Sequence, residues 1–439
     1  MKEKLQNAAA FIRKRAIRFG KAVKKFFTDI FGSDSGYISR KTEKEISDYN
    51  RKEIKRLEKE KRRKLSPEDY RTEMQNPDNI AEFDDLKTYF YTDRGTVKAV
   101  DGVSFSIPKG VTVGIVGESG CGKSVTAMSL MRLIQGPLGQ ITGGEIRFAG
   151  RDGYTYDMVK IPTKDLYRIR GKEIAMIFQE PMTSLNPVFT IGNQIDEVLI
   201  THLDMNKHEA RKRSIELLTQ VGIPMPEQIC DRYPHELSGG MRQRVMITIA
   251  LACQPRLIIA DEPTTALDVT IQAQILDLLR RIKTQFDGSI MLITHDLGVI
   301  AEMAEFVVLM YAGKIIETGT VDEIFYNPLH PYTIGLQRSK PVIDSGKERL
   351  YSIPGNVPNP INMPPYCYFY DRCRFRTPEC KKGYPPFVQL TETHGTACWL
   401  HQRSADADYE NAGTFTTDAA TTDTVNTNTA NMPNGGENF

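Results

Sequence analysis

The sequence has no long apolar run. Its 439 residues contain no stretch of roughly 20 uninterrupted apolar residues, so no segment is expected to span a bilayer. Residues 1–32 also lack the continuous apolar centre and the small-residue cleavage site of a secretory signal. These absences predict a cytosolic location, where thiols stay reduced and stable disulfides are uncommon.

An excess of one charge sign is also missing. The net charge is only +2, so local charged blocks say more than the total, and no nucleic-acid partner is predicted. Cysteine is sparse as well, with seven in the chain, and a chain of this length can build a core without disulfides.

Four of the cysteines nevertheless fall close together, at Cys367, Cys373, Cys380 and Cys398. A reducing location disfavours disulfides, which leaves a metal site, the preferred interpretation, or buried free thiols. The spacing does not choose the metal, because structural zinc sites and ferredoxin clusters both use tighter cysteine pairs.

The predicted N-terminal extension covers residues 1–80. Its first 32 residues indicate a basic amphipathic helix, which would dock on an anionic membrane surface or a partner, or else pack on its own protein. The apolar positions at helical spacing are Ile12, Ala16, Phe19, Val23, Phe26 and Ile30. Residues 41–64 mix both charge signs and predict a solvated helix or a flexible spacer.

The middle of the chain predicts an α/β domain. From residue 82 to residue 325, short apolar strands alternate with helical stretches around a mostly parallel sheet. Residues 326–402 are predicted to form a loop-dominated C-terminal region, since 353–367 are rich in proline and asparagine. Residues 403–439 are polar and of low complexity, and predict a disordered tail.

A glycine-rich turn predicts a phosphate-binding site. After the apolar strand Val111–Val116, residues 117–124 read G-x-x-x-x-G-K-S and a helical run follows. Backbone amides there would converge on phosphate oxygens, Lys123 would face the β- and γ-phosphates, and Ser124 would bind Mg²⁺. The alternative is a structural glycine turn. The predicted nucleotide-contacting residues are Gly117, Glu118, Ser119, Gly120, Cys121, Gly122, Lys123, Ser124 and Val125.

Two carboxylates follow another apolar strand, in "RLIIADEP". Asp261 is suited to holding Mg²⁺, and Glu262 is suited to acting as the general base on the attacking water. An acidic pair after a strand is often only a solvated turn, so its meaning depends on the surrounding motifs.

Those motifs are "IFQEP" at 177–181, "ELSGGMRQR" at 236–244, "ALD" at 266–268 and "LITHD" at 292–296. With the phosphate loop and the acidic pair, they closely resemble, in order, the motifs of ATP-binding-cassette (ABC) ATPases. The resemblance implies a RecA-like P-loop ABC nucleotide-binding domain, with a helical subdomain inserted at about residues 180–250.

The resemblance also implies roles for single residues. Gln179 would contact Mg²⁺ and the attacking water, and His295 would hydrogen-bond the γ-phosphate. Phe90 would stack on adenine, with Tyr91 as the alternative, although a strand aromatic facing the core explains Phe90 as well. Ser238, Gly239, Gly240 and Asp268 would contact nucleotide, and the turn at 238–240 would cap ATP bound to a facing subunit, which implies a dimer.

Two stretches narrow the resemblance. "LSGGMRQRVMI" and "QEPMTSLNP" look like the D-type ATPase subunit of oligopeptide and dipeptide importers. That group carries C-x-F-x-x-R-C and two further cysteines after the cassette, matched here except that Tyr366 stands where glycine is common. The resemblance implies a [4Fe–4S] cluster on Cys367, Cys373, Cys380 and Cys398, with zinc as the second choice.

The implied function is ATP hydrolysis that drives peptide uptake at the cytoplasmic face of the cell membrane. The implied partners are a second, related ATPase subunit in a heterodimer, two transmembrane permeases and an extracytoplasmic peptide-binding protein. The same ATPase role for nickel or another small solute is an alternative. Two further alternatives remain. One is a soluble cassette protein of translation or DNA repair, and the other is a module that senses iron or redox state through its cysteines.

Overall fold

The computed structural model describes residues 39–402, apart from residues 62, 64, 181–183, 266, 287, 340–350 and 362. The predictions of a basic amphipathic helix in residues 1–32 and of a disordered tail in residues 403–439 lie outside the described residues. No helix within the described ranges is long and apolar enough to cross a membrane.

The elements follow a mixed α/β order. The strands are β1 Arg71–Thr72, β2 Asn79–Thr92, β3 Gly95–Pro108, β4 Thr112–Val116, β5 Gly139–Ala149, β6 Thr155–Asp157, β7 Ile174–Ile177, β8 Leu257–Asp261, β9 Ser289–Thr294, β10 Phe306–Tyr311, β11 Lys314–Thr320, β12 Val388–Gln389 and β13 Gly395–Thr396. The helices are α1 Arg40–Lys61, α2 Pro67–Tyr70, α3 Lys123–Leu130, α4 Thr163–Ile169, α5 Ile191–Leu203, α6 Lys207–Gln220, α7 Pro226–Cys230, α8 Gly239–Leu251, α9 Val269–Phe286, α10 Leu297–Met303, α11 Val321–Tyr326 and α12 Pro331–Arg338.

The larger sheet has a parallel centre that carries the site. Its strand order is β12-β13-β11-β10-β4-β9-β8-β7, and the strands from β10 to β7 run parallel. Every residue of β4, β8 and β9 is buried, as expected of continuous apolar runs covered on both faces. The carboxyl ends of β4 and β8 therefore meet at one edge of the sheet, where the phosphate loop and the acidic pair follow them.

Two apolar clusters cover the faces of this sheet. Alternate residues point to opposite sides, so Ile258 packs with the helical layer, whereas Ile259 packs toward a second sheet. That second sheet is antiparallel in its pairings, in the order β1-β6-β5-β2-β3. The two clusters hold the cassette together from both faces.

Helices α5 to α8 lie between β7 and β8 in the chain, over residues 191–251. Side chains cap the first two of these helices: Thr190 accepts a hydrogen bond from the amide of Asn193, and the Asn206 side chain accepts hydrogen bonds from the amides of His208 and Glu209. These helices occupy the region predicted as a helical subdomain.

Helix α1 rests on the antiparallel sheet. Leu57 is buried at 4% exposure, the amide group of Asn50 donates to the carbonyl of Thr92 at 2.9 Å, and Lys61 Nζ donates to Gln140 Oε1 at 2.5 Å. One face of this charged helix thus contacts the cassette.

The C-terminal region continues the large sheet. Glu317 of β11 pairs with Thr396 of β13, and β12 pairs with β13 in turn. The Glu317 carboxylate is fully buried and accepts hydrogen bonds from the amides of Leu329 and His330 at 2.7 and 2.9 Å. It also accepts from the Thr333 hydroxyl and lies 2.9 Å from His394 Nε2. Residues 326–402 are therefore joined to the cassette by backbone pairing and by a buried polar network.

Candidate active site

The phosphate loop connects β4 to α3 as the sequence predicts. Gly122, the N-cap of α3, has φ +104°, and a Cβ there would lie 2.2 Å from the carbonyl oxygen of Ala99, so only glycine fits. Because α3 begins at Lys123, the amides of its first turn have no acceptor within the helix. Ser119 and Gly120 are exposed at the mouth of the turn. This arrangement is suited to an anion such as a phosphate.

Lys123 lies folded against the loop. Its ammonium group donates to the carbonyl oxygens of Gly117 and Glu118 at 2.7 and 3.2 Å, and the residue is only 5% exposed. Cys121 is fully buried, and burial raises the pKa of its thiol, so it is a packing residue of the loop. Val125 packs at the start of α3 against the cluster that holds Phe90.

Asp261, which is buried, and Ser124 form a hydrogen-bonded pair at the end of β8. Ser124 Oγ donates to Asp261 Oδ1 at 2.9 Å, and Asp261 is 5% exposed. Burial raises the pKa of Asp261 to about 6, and the hydrogen bond from Ser124 opposes that rise. A hydroxyl and a carboxylate oxygen are the donor types that Mg²⁺ prefers, so this pair fits the predicted metal.

Three side chains surround the Glu262 carboxylate. Gln179 Nε2 donates to Glu262 Oε2 at 2.9 Å, and the hydroxyl of Thr265 donates to the same oxygen at 2.8 Å. His295 Nδ1 lies 3.3 Å from Glu262 Oε1, and the side chain of His295 is 60% exposed. Glu262 itself has φ +46°, a left-handed conformation that non-glycine residues rarely adopt. The structure thus brings together the three residues predicted to be catalytic.

The signature residues lie around another opening. An open cavity of about 430 Å³ is lined by Ser238, Gly239, Gly240 and Asp268, among others. Ser238 caps α8 by accepting a hydrogen bond from Met241, and a Cβ on Gly239 would meet nothing within 4 Å. Asp268 Oδ1 accepts from the amide of Ile271 at 3.0 Å. The structure gathers these four predicted residues around one cavity, with Ser238, Gly239 and Gly240 at the start of α8 and Asp268 just before α9.

Comparison with known proteins agrees with these motifs. The family described as ABC transporter matches residues 100–265, and the family described as oligopeptide/dipeptide transporter, C-terminal region, matches residues 316–380. The oligopeptide transport ATP-binding protein AppD of Bacillus subtilis is 52% identical over 74% of this chain and 97% of its own length. The dipeptide transport ATP-binding protein DppD of the same organism is 47% identical over 75% of this chain and 97% of its own. The chain belongs to the ABC transporter ATPases of the oligopeptide/dipeptide group.

The ABC assignment gives the chain its chemistry. This ABC ATPase hydrolyses ATP, and the matched residues 100–265 contain the phosphate loop and the acidic pair. Among solved structures, a dimeric bacterial ABC transporter cassette aligns with 55% of this chain and 99% of its own, at 27% identity and a TM-score of 0.49. The family match over residues 100–265 confirms the cassette fold predicted from the motifs.

Phe90 lies in a small core. It is 8% exposed and packs with Val97 and Ala99, while Ile134 and Ile361 cover the cluster. This is the core-facing placement that the sequence allowed, and the adenine-stacking role stays a prediction. Tyr91, the alternative, is 4% exposed.

The four clustered cysteines of this ABC ATPase are not disulfide-bonded. Within the described ranges, no group of three or more His, Cys, Asp or Glu side chains is arranged to hold a metal ion, so the thiols as placed do not form a ligand set. They are neighbours all the same. Burial raises the pKa of Cys367 to about 11 and that of Cys398 to about 12, and the nearby thiols add to both shifts.

Sequence reasoning missed the partners that reach the phosphate loop from the C-terminal region. Arg372 forms an ion pair with Glu118, and the Tyr332 hydroxyl accepts a hydrogen bond from the Glu118 amide. The arginine within C-x-F-x-x-R-C is a sequence signal, but its place among the cysteines points to a cysteine motif and not to the phosphate loop. Thr265, which contacts Glu262, carried no signal beyond following the acidic pair.

Proposed function

We propose that this ABC ATPase energises the import of oligopeptides or dipeptides across the cytoplasmic membrane. The observation that carries the proposal is the combination, in one chain, of a cassette and a C-terminal region of the oligopeptide/dipeptide type, with close relatives named for both cargo classes. It would act at the cytoplasmic face, in a heterodimer with a related ATPase subunit. Two permeases and an extracytoplasmic peptide-binding protein would complete the assembly.

The nucleotide would bind at the phosphate loop. The amides at 117–125 would surround the phosphates, and Lys123 would exchange its contacts with loop carbonyls for phosphate oxygens. Mg²⁺, when bound, supplies positive charge that offsets the developing charge on the phosphates. Ser124 and Asp261 would hold it, with Gln179 beside them.

Glu262 would act as the general base. Its carboxylate is only 13% exposed, and Gln179 and Thr265 both donate to one oxygen, so the carboxylate is held in one orientation. His295 lies against the other oxygen and is exposed enough to meet a γ-phosphate. The residues around Glu262 thus orient the carboxylate and leave the side of the site at His295 open to solvent.

The turn at 238–240 would complete the site of a facing subunit. Open space above Gly239 and the N-terminus of α8 suit a phosphate that arrives from outside the chain. Asp268 lines the same cavity and would lie at the contact between subunits. One chain would therefore supply half of each of two sites.

The catalytic assignment is tested with Glu262→Gln. The variant should bind ATP as the wild type does, whereas turnover should fall by about 10²- to 10⁴-fold, the usual contribution of a general base. Asp277→Asn, which changes an exposed carboxylate on α9, is the matched control. Wild-type turnover in Glu262→Gln would refute the role of Glu262.

The cargo is tested on the assembled transporter. The chain is purified with its co-assembling partners and reconstituted in vesicles, and ATP-dependent uptake of a labelled dipeptide, a labelled pentapeptide and Ni²⁺ is compared. Peptide uptake that Glu262→Gln abolishes supports the proposal. Uptake of Ni²⁺ alone, or assembly with no membrane partner, would overturn it.

We further propose a [4Fe–4S] cluster on the four cysteines, with zinc as the second choice. The family motif and the mutual proximity of the thiols support it. Because the described side chains form no ligand set, at least some of them would have to reorient on binding. Anaerobic purification followed by iron, sulfide and zinc analysis tests this, with Cys230→Ser as the control and Cys373→Ser as the disrupting variant. A metal-free protein would end the proposal.

We propose that the basic segment of residues 1–32 docks on an anionic membrane. Since α1 packs on the cassette, the sharpest variant removes residues 1–32 and keeps Arg40–Lys61. Binding to vesicles containing anionic lipid should fall in this variant, and added salt should weaken the binding of the wild type. Equal binding with and without residues 1–32 would contradict the proposal.

A further inference from the structure

The side chain of Glu118, in the phosphate loop, is held by a residue 254 positions further along the chain. Arg372 NH1 donates to Glu118 Oε2 at 2.6 Å, and Arg372 NH2 donates to Glu118 Oε1 at 2.9 Å. Two parallel hydrogen bonds between a guanidinium and a carboxylate fix orientation as well as distance. The C-terminal region therefore holds the side chain of Glu118, the first non-glycine residue of the phosphate loop, in one orientation.

The guanidinium of Arg372 is itself fixed in place. Its side chain is 6% exposed, Nε donates to the carbonyl oxygen of Pro354 at 3.1 Å, and the Tyr311 hydroxyl lies 3.4 Å from NH1. Every group that Arg372 touches is thus part of the loop, of β10 or of the C-terminal region. A buried arginine whose nitrogens have hydrogen-bond partners is held in one conformation, whereas an arginine in an exposed surface ion pair is not.

A second contact holds the backbone of the same loop residue. The amide of Glu118 donates to the Tyr332 hydroxyl at 2.8 Å, and Tyr332 is fully buried. The Tyr332 ring lies 4.9 Å from that of Tyr311 and 5.6 Å from that of Phe369, measured between centroids. Phe369 precedes Arg372 by one short turn, so the two contacts on Glu118 share one aromatic support.

Glu118 in turn fixes the position of the phosphate-binding lysine. Lys123 donates to the carbonyl oxygens of Gly117 and Glu118, so a shift of the Glu118 backbone moves the acceptors that hold the ammonium group. Release of Glu118 would let the turn that carries the phosphate-facing amides sample other conformations. Ordering the loop would then cost binding free energy.

We propose that Arg372 is a positioning residue for ATP binding, which holds the phosphate loop in its nucleotide-ready shape through Glu118. This goes beyond the proposed peptide transport, because it does not depend on the cargo. It rests only on the assignment of the nucleotide site to the phosphate loop. It makes the C-terminal region part of the nucleotide site.

The test measures ATP affinity in the full-length chain. Binding of fluorescently labelled MgATP is titrated for the wild type, Arg372→Ala, Glu118→Ala and the double variant, and steady-state ATPase kinetics give KM and kcat. Arg372→Ala should weaken binding about fivefold or more, the lower end of typical coupling between sites, and should raise KM more than it lowers kcat. The double variant should bind no more weakly than either single variant, because both remove one interaction.

Three controls separate the possible outcomes. Arg376→Ala changes an arginine that lies between Cys373 and Cys380, donates to the carbonyl oxygen of Asp371 and lies over the Tyr370 ring, and the variant should bind ATP as the wild type does. Lys123→Ala should lose binding; if it does not, the assignment of the nucleotide site fails. If Arg372→Ala does not fold, Glu118→Gln decides, since it keeps the side-chain shape and removes the charge. Wild-type affinity in a folded Arg372→Ala or Glu118→Gln, or additive effects in the double variant, would overturn the proposal.

Discussion

Replacing Asp261 by asparagine should stabilise the nucleotide-free protein while it disables hydrolysis. Asp261 is 5% exposed, and burial raises its pKa from the ordinary 3.8 to about 6. At pH 7.5 the carboxylate is ionised in the folded and the unfolded chain, so the folded state carries the whole cost of burying the charge. One pKa unit corresponds to ~1.36 kcal/mol of free energy. The rise in the pKa of Asp261 from 3.8 to about 6 therefore corresponds to a burial cost of about 3 kcal/mol.

The sign of the pH dependence follows from the same shift. As pH falls through about 6, the folded Asp261 takes up a proton before the unfolded one does, so the cost of burial decreases. It falls to about 1.6 kcal/mol at pH 5 and vanishes below the ordinary pKa. Asparagine carries no charge at any pH, and its side-chain oxygen still accepts from Ser124. The advantage of Asp261→Asn is therefore largest above pH 6 and shrinks toward pH 5.

Thermal unfolding in nucleotide-free buffer with a chelator measures this advantage. Asp261→Asn should melt on the order of 5 °C above the wild type at pH 7.5, with a smaller gap at pH 5. Asp277→Asn, on the exposed face of α9, should change the melting temperature little at either pH. A variant that melts at or below the wild type at pH 7.5, or a gap that does not depend on pH, would refute the reasoning.

The remaining predictions concern packing and the facing subunit. Glu317→Ala should lower the free energy of unfolding by about 3–5 kcal/mol in chemical denaturation, because it leaves buried donors and His394 without their acceptor; a loss below 1 kcal/mol would contradict this. Gly122→Ala should lose ATP binding and stability together, since a Cβ would overlap the Ala99 carbonyl, and normal melting would argue against the loop geometry. Gly239→Ala should melt as the wild type does but reduce ATP-driven subunit association in sedimentation experiments, and unchanged association would remove the signature turn from the interface.

The central strands and the nucleotide motifs were predictable because their causes are local. Strands β4 and β8 are buried on both faces and so read as uninterrupted apolar runs, and the turn after β4 needs glycine at 122 for steric reasons. Parallel strands place their carboxyl ends at one edge, so the proximity of Ser124 and Asp261 follows from the order of the motifs.

The features that escaped prediction depend on irregular or distant pairing. The registration of β2 with β3 shifts between Thr88 and Tyr89, so counting alternate residues does not tell which face Phe90 occupies. Strands β12 and β13 have two residues each, too few to show a period. The ion pair between Arg372 and Glu118 joins residues that are 254 positions apart in the chain, so no local sequence pattern predicts it.

The attachment of the C-terminal region also has a consequence for synthesis of the chain. A ribosome releases the phosphate loop long before Arg372, His394 and β13, so the nascent cassette carries Glu118 and the Glu317 carboxylate without their final partners. N-terminal parts generally fold first during translation, and the cassette would then pass through a stage in which its edge strand β11 is uncovered. On this reasoning, the phosphate loop would gain its contact with Arg372 only after Arg372 has left the ribosome.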